Sequence, residues 1–76
     1  MIRELDTVVL TRDIAKYGLV EGDIGVVVHC YADGDAYEVE FVTLGGRTAA
    51  VATVAAGLVR PIRATEITHA REMVHQ

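Results

Sequence analysis

The 76-residue, 8.2 kDa chain reads as an all-β domain: a small barrel of about five strands followed by a short C-terminal α-helix. Three observations carry that reading. Short β-branched and apolar runs recur between turns rich in Gly and Asp. No segment between them has the length and periodicity of a crossover helix, so a parallel sheet is excluded. The chain is 51% hydrophobic, which suffices to offset its ordering entropy by burial, and it is too short for two domains.

The elements follow in order. Asp6–Thr11 is apolar and β-branched and forms the first strand. Arg12 to Asp23 is a long excursion punctuated by Gly18 and Gly22. Gly25–Tyr31 carries three consecutive valines and is the strongest strand signal in the chain. Ala32-Asp33-Gly34-Asp35 follows, and Asp-Gly is a strong hairpin-turn signal. Ala36–Val42 alternates with period two, which places Tyr37, Val39 and Phe41 inward and Glu38 and Glu40 in water. Leu44-Gly45-Gly46 turns the chain into the strand Arg47–Val54. Gly57 marks a loop, and Leu58–Ile62 closes the barrel, with Pro61 confined to an edge or a strand end. In the tail, Thr65 suits an N-cap, and Ile67, Ala70 and Val74 share one helical face. A helix over residues 65–75 is therefore expected, giving a barrel over 1–62 and a helical tail over 63–76.

Missing residue types exclude whole chemistries. The sequence has no Ser, Asn or Trp, and its only Gln is the last residue, so a serine nucleophile and the usual amide readers of adenine are absent. One cysteine, Cys30, cannot make an intramolecular disulfide, which fits a reducing, cytoplasmic compartment. The Met1-Ile2-Arg3-Glu4 start lacks the apolar core of a secretory signal, and no apolar stretch approaches the ~18–20 residues of a membrane span. The net charge of −4 opposes phosphate tracking. That charge is uneven. Residues 1–59 hold four bases (Arg3, Arg12, Lys16, Arg47) against nine acids, a net of −5, and residues 60–76 hold Arg60, Arg63 and Arg71 against Glu66 and Glu72, a net of +1. A tail of opposite sign is suited to dock on an acidic barrel, its own or a neighbour's.

Gly22-Asp23-Ile24-Gly25-Val26-Val27, followed by Tyr37-Glu38-Val39-Glu40-Phe41, resembles the KOW-type and SH3-like barrel pattern. Glu4–Leu10, Gly18-Leu19, Gly22–Gly25, Tyr37–Phe41 and Leu58–Pro61 together resemble the bacterial family called domain of unknown function 4926. A weaker similarity runs to the SH3-like domain of the nitrile hydratase β subunit. These resemblances imply an SH3-like barrel. The KOW likeness implies nucleic-acid binding through Arg12, Lys16, Tyr17 and Arg47, and the nitrile hydratase likeness implies an accessory role beside a metalloenzyme. The loops, however, carry Asp13, Glu21, Asp23, Asp33 and Asp35 where nucleic-acid binders carry bases.

No cluster of polar residues assembles a reaction centre. Glu38 and Glu40 lie about 7 Å apart on one strand face, and no nucleophile accompanies them, so a solvated face explains them better than acid–base catalysis. Asp33-Gly34-Asp35 is too short for a calcium loop. The glycines precede a strand, not a helix, so they form no phosphate cradle. His29 and Cys30 are adjacent in a strand and point to opposite faces, and His69 and His75 are six apart, so no zinc set forms. No catalytic, cofactor or metal residue is therefore assigned. Apolar residues without a core to enter remain: Val27 and Tyr31 on one strand, Ala49 and Val51 on another, with Ile67 and Val74 in the tail. The expected function is a non-catalytic protein-binding module, self-associating most simply as a dimer, with these six as interface candidates.

Overall fold

The computed structural model describes residues 1–73. Five strands, β1 (Thr7–Leu10), β2 (Ile24–Cys30), β3 (Ala36–Val42), β4 (Thr48–Ala55) and β5 (Val59–Pro61), form one sheet in the order β4-β3-β2-β1-β5. Every neighbouring pair is antiparallel. Among the described residues the helical elements are two 3₁₀ turns, Ala15–Tyr17 and Ala56–Leu58.

Chain length forces the sheet to coil. Strands β4 and β5 are its two edges, and in a flat sheet they would stand about 19 Å apart. Only Ala56–Leu58 joins them, and four steps of extended chain reach at most ~14 Å. Ala55 pairs with Ala36 while Val59 pairs with Leu10, so the sheet curls until its far corners meet. Ala56 N–H on the Asp35 carbonyl (2.9 Å) and Thr11 N–H on the Leu58 carbonyl (2.8 Å) fasten that corner.

Inside the curl lie Val8, Leu10, Leu19, Val27, Val39, Phe41, Ala52, Val54 and Val59, with Tyr37, Cys30 and Ala50 packed on them at the margin. The expected inward set of β3 is thus correct. Val27 is not a surface residue, however: its exposure is 0%, and it cannot meet a partner. The alternation of β2 changes at a bulge. Val27 faces Val39 and His29 faces Glu38, leaving Val28 as the extra residue. The bulge turns Cys30 to the core side with Val27, whereas strict alternation puts it with Val26 and Val28. It also leaves Val28 41% exposed.

Gly25 marks the tightest approach in the sheet. A Cβ there would lie 2.6 Å from Val39 Cγ1, 2.9 Å from Phe41 Cε2 and 3.0 Å from the Glu40 carbonyl oxygen. The two hairpins turn as expected. Gly34 (φ 76°) donates to the Tyr31 carbonyl, and Gly46 (φ 90°) donates to the Thr43 carbonyl. Both occupy the left-handed region, which glycine enters at no steric cost.

The tail is not helical over 65–73, which corrects the expected 65–75 helix; Val74 and His75 lie outside the described residues. Two forces explain the difference. An isolated helix of that length is below the ~12–15 residues at which helices become marginally stable in water. Arginine–carboxylate pairs anchor the segment at both ends instead. Arg60 makes a two-pronged contact with Glu66 (2.9 and 2.6 Å), and Arg71 makes another with Asp23 (2.8 and 2.6 Å). Glu66 also accepts from the Arg63 N–H at 2.7 Å, so its side chain closes a local loop.

Candidate functional site

Two surfaces collect the side chains that could meet a ligand. The first is the outer face of β2, β3 and β4. Glu38 stands opposite His29 on one side and Thr53 on the other, and Glu40 stands between Val26 and Val51. Their carboxylates are occupied. Glu38 Oε1 accepts from the Thr53 hydroxyl (2.7 Å) and the Tyr31 hydroxyl (3.1 Å), and Glu40 Oε2 accepts from the Thr48 hydroxyl (2.8 Å). Such cross-strand hydrogen bonds stabilise an outer sheet face. His29 packs edge-on against Tyr31 with ring centroids 4.8 Å apart. Around these groups stand partly exposed apolar side chains: Val28, Tyr31, Val42 and Val51.

Strand β4 adds a second property to this face. It is the longest strand, it lies at the sheet edge, and Thr48–Ala55 contains no charge, Pro or Gly. Among the described residues, it makes no backbone hydrogen bond beyond its pairing with β3, apart from the bonds of its flanking turns. A bulge at Ala49, between the Phe41–Ala50 and Val42–Thr48 pairs, leaves Ala50–Ala55 as regular free edge. The opposite edge is guarded: β5 has three residues, among them Arg60 and Pro61.

The second surface lies where the β1–β2 excursion and the β3–β4 hairpin share one end of the sheet. Ile14 bridges to Leu19 across the 3₁₀ turn, Gly18 takes the left-handed conformation, and Leu19 is driven into the core. This fold-back aims the Gly18 carbonyl and the Asp23 carboxylate at Arg71, whose Nη2 reaches Gly18 O at 3.0 Å and Asp23 Oδ2 at 2.6 Å. Burial pushes the Asp23 carboxyl up, but hydrogen bonds from Arg71 and the Val20 N–H, with the charge of Arg71, outweigh it and hold it below 3.8. At the other end of the tail, hydrogen bonds from Arg60 and the Arg63 N–H pull Glu66 down to about 2. Both arginines are raised by these same partners.

These directions predict acid release of the tail. A carboxylate with a depressed folded-state pKa contributes its stability in full above its unfolded value and loses it as pH falls towards the folded one. Docking should therefore hold at pH 5 and above and loosen between about pH 4.5 and 2 as Glu66 and Asp23 take up protons. Proton NMR of the Met73 methyl should show it moving to its free-chain position ahead of the buried valine methyls. A Met73 signal that stays fixed until the core melts would show that the two pairs do not hold the tail.

The structure separates the remaining expected residues. Ala49 and Val51 are exposed on β4, Tyr31 is 39% exposed at the β2–β3 turn, and Ile67 is 92% exposed on the tail. Ile67 stands on the segment held by the arginines, and Val74 lies outside the described residues. Arg12 and Lys16 are exposed on the excursion, with Lys16 Nζ 5.5 Å from the Tyr17 ring centroid, and Arg47 is exposed on the β3–β4 hairpin. Asp13, which accepts from the Glu21 N–H at 2.8 Å, lies on the same excursion and interrupts the basic residues. The Arg71–Asp23 pair was not assigned from the sequence. Its only signal there is the opposite charge of tail and barrel. Among the described residues no group of three His, Cys, Asp or Glu could hold a metal, and no helix is long and apolar enough to cross a membrane.

A coiled five-stranded antiparallel sheet, its outer carboxylates tied to hydroxyls and its tail clasped by arginines, defines a small all-β domain. Residues 4–61 match the model of the family described as Domain of unknown function (DUF4926), and the chain belongs to that family. The match ends in β5, so the clasped tail lies beyond it. No curated protein and no solved structure matches the chain.

Proposed function

We propose that the protein is a non-catalytic protein-interaction module of SH3-like barrel type that associates with a second copy of itself through β4. The observation that carries this reading is the free β4 edge. Natural sheets guard an edge with charge, proline or brevity, as β5 does here, because unpaired N–H and C=O groups template pairing with another strand. An uncharged edge on a chain of net charge −4 is where two acidic copies approach with least repulsion. A domain this small buries only about 60% of its unfolded surface, so a shared sheet adds stability that its own core lacks. Cytoplasmic residence and an accessory role beside a larger partner are compatible extensions of this reading.

Sedimentation over a hundredfold dilution tests it, with a concentration-dependent species of twice 8.2 kDa expected. Val51→Lys should shift that equilibrium to monomer by at least tenfold. In the monomer the new ammonium faces Glu40 across the strands, so the fold is kept, whereas edge pairing brings like charges together near the two-fold axis. A monomer at every concentration, or a dimer that Val51→Lys leaves intact, overturns the proposal.

A further inference from the structure

The Arg71 clasp has the construction of a ligand site with an internal occupant. Its acceptors, the Asp23 carboxylate and the Gly18 carbonyl, belong to the β1–β2 excursion, inside the family match at 4–61. Its donor lies outside that match. Receptor and occupant are therefore separate parts of the chain, joined only by the turn after β5.

The attachment is made for exchange. No backbone hydrogen bond ties residues 67–73 to the sheet. The segment is held by the Arg71 guanidinium, whose side chain is 28% exposed, and by Met73, which packs at the margin of the core. Asp23 by contrast is fixed, 16% exposed and braced by the Val20 N–H at 2.9 Å. A planar guanidinium meeting a fixed carboxylate through two parallel bonds is a geometry that lysine cannot reproduce.

The tail also leaves room. Between it and the sheet runs a groove of about 1000 Å³, walled by Ile24, Val26, Phe41, Val42 and Leu44 opposite His69–Met73. That is at the upper end of volumes that bind ligands, and most of its lining is apolar.

We infer that the Asp23–Gly18 loop and this groove form a docking site for an extended segment of a partner protein carrying arginine with an apolar residue two positions on, and that the tail is its resident competitor. The pattern is read from Arg71 and Met73, which place a guanidinium on Asp23 and a thioether against the core. The barrel's net charge of −5 over residues 1–59 attracts a basic segment and repels an acidic one. Because the tail is tethered, it competes at an effective concentration in the millimolar range. A foreign segment must therefore bind at more than one point along the groove to displace it. This inference goes beyond association through β4: its acceptors lie on the β1–β2 excursion, although the groove's lining extends to Glu40 of β3 and Ala49 of β4.

The test is a titration of the full chain with a fluorescein-labelled peptide of the sequence of residues 62–73, read by anisotropy at ~50 mM salt. Wild-type protein should bind it weakly, and Arg71→Ala, which empties the site, should bind at least ~10-fold more tightly. Adding Asp23→Asn to Arg71→Ala should abolish binding, since the amide keeps the bond from Val20 but loses the charge. A peptide with lysine in place of its arginine should bind Arg71→Ala at least ~10-fold more weakly. Failure of folded Arg71→Ala to bind, equal binding by wild type, or indifference to Asp23→Asn each overturns the inference. If Arg71→Ala alone dissolves a dimer, the occupant is a second copy's tail, and the foreign partner is excluded. Sedimentation of Val51→Lys reads β4 and not Asp23, so failure at one surface is separable from failure at the other.

Discussion

Phe41→Ala is expected to lower the stability of this domain by about 3–5 kcal/mol, the usual cost of emptying a buried phenylalanine site. A chain of this length holds roughly 4–11 kcal/mol in all, so the variant should lose a quarter or more of its stability. Phe41 is the only phenylalanine, it is 3% exposed, and the remaining core is built from Val, Leu and Ala. Its ring fills the space above Gly25 and faces Ala50 across the strands. Neither neighbour has the side-chain length to refill the void. At roughly 4–8 °C per kcal/mol, the melting midpoint should fall by at least ~12 °C. A urea melt costing less than ~1 kcal/mol would show that the ring is not the centre of the core.

The second large effect comes from adding one carbon. Gly25→Ala places a methyl 2.6 Å from Val39 Cγ1 and 2.9 Å from Phe41 Cε2, inside van der Waals contact with both. Overpacking of this kind costs about 1–3 kcal/mol, and the entropy that alanine removes from the unfolded chain returns only ~0.4–1. The cause can be isolated. Val39→Ala removes the nearer obstacle, so Gly25→Ala with Val39→Ala should be more stable than the sum of the two losses by ~0.5–3 kcal/mol, as contacting residues are when they share a cavity. Strict additivity would place the cost in the strand backbone instead of at Val39.

Much of the sheet is legible in the sequence because its signals are local. Asp33-Gly34 and Gly45-Gly46 mark both hairpins, Pro61 marks a strand end, and Tyr37–Phe41 alternates cleanly, so the inward set can be read directly. Strand β2 is different. Val26-Val27-Val28 offers three equally apolar neighbours, and no pattern within them says which one the bulge ejects. Only the pairing with β3 decides, and it sends Val28 outward and Val27 in. The tail fails for a related reason. Ile67, Ala70 and Val74 have helical spacing, but spacing sets a helix only when no stronger partner competes. Arg60 finds Glu66 six residues on, whereas Arg71 finds Asp23 forty-eight residues back. The first is a local signal hidden among other charges, and the second becomes a contact only after the sheet has coiled. Of the candidate site, the exposed Ala49 and Val51 were legible from period two alone, while the Asp23–Gly18 receptor needed the fold.

The fastening of the first strand to the last has a consequence for how the molecule is made. During synthesis β1 emerges first, and β2, β3 and β4 can each add to the strand just before. Strand β5 arrives last, and its bonds to β1 close a circuit in which Thr11 meets Gly57 across 46 residues. Until that moment Thr7-Val8-Val9-Leu10 is a second bare edge, more apolar than β4 and without a single charge. Closure of such distant pairs places folding in the millisecond-to-second range, and the three residues of β5 decide how long that exposure lasts.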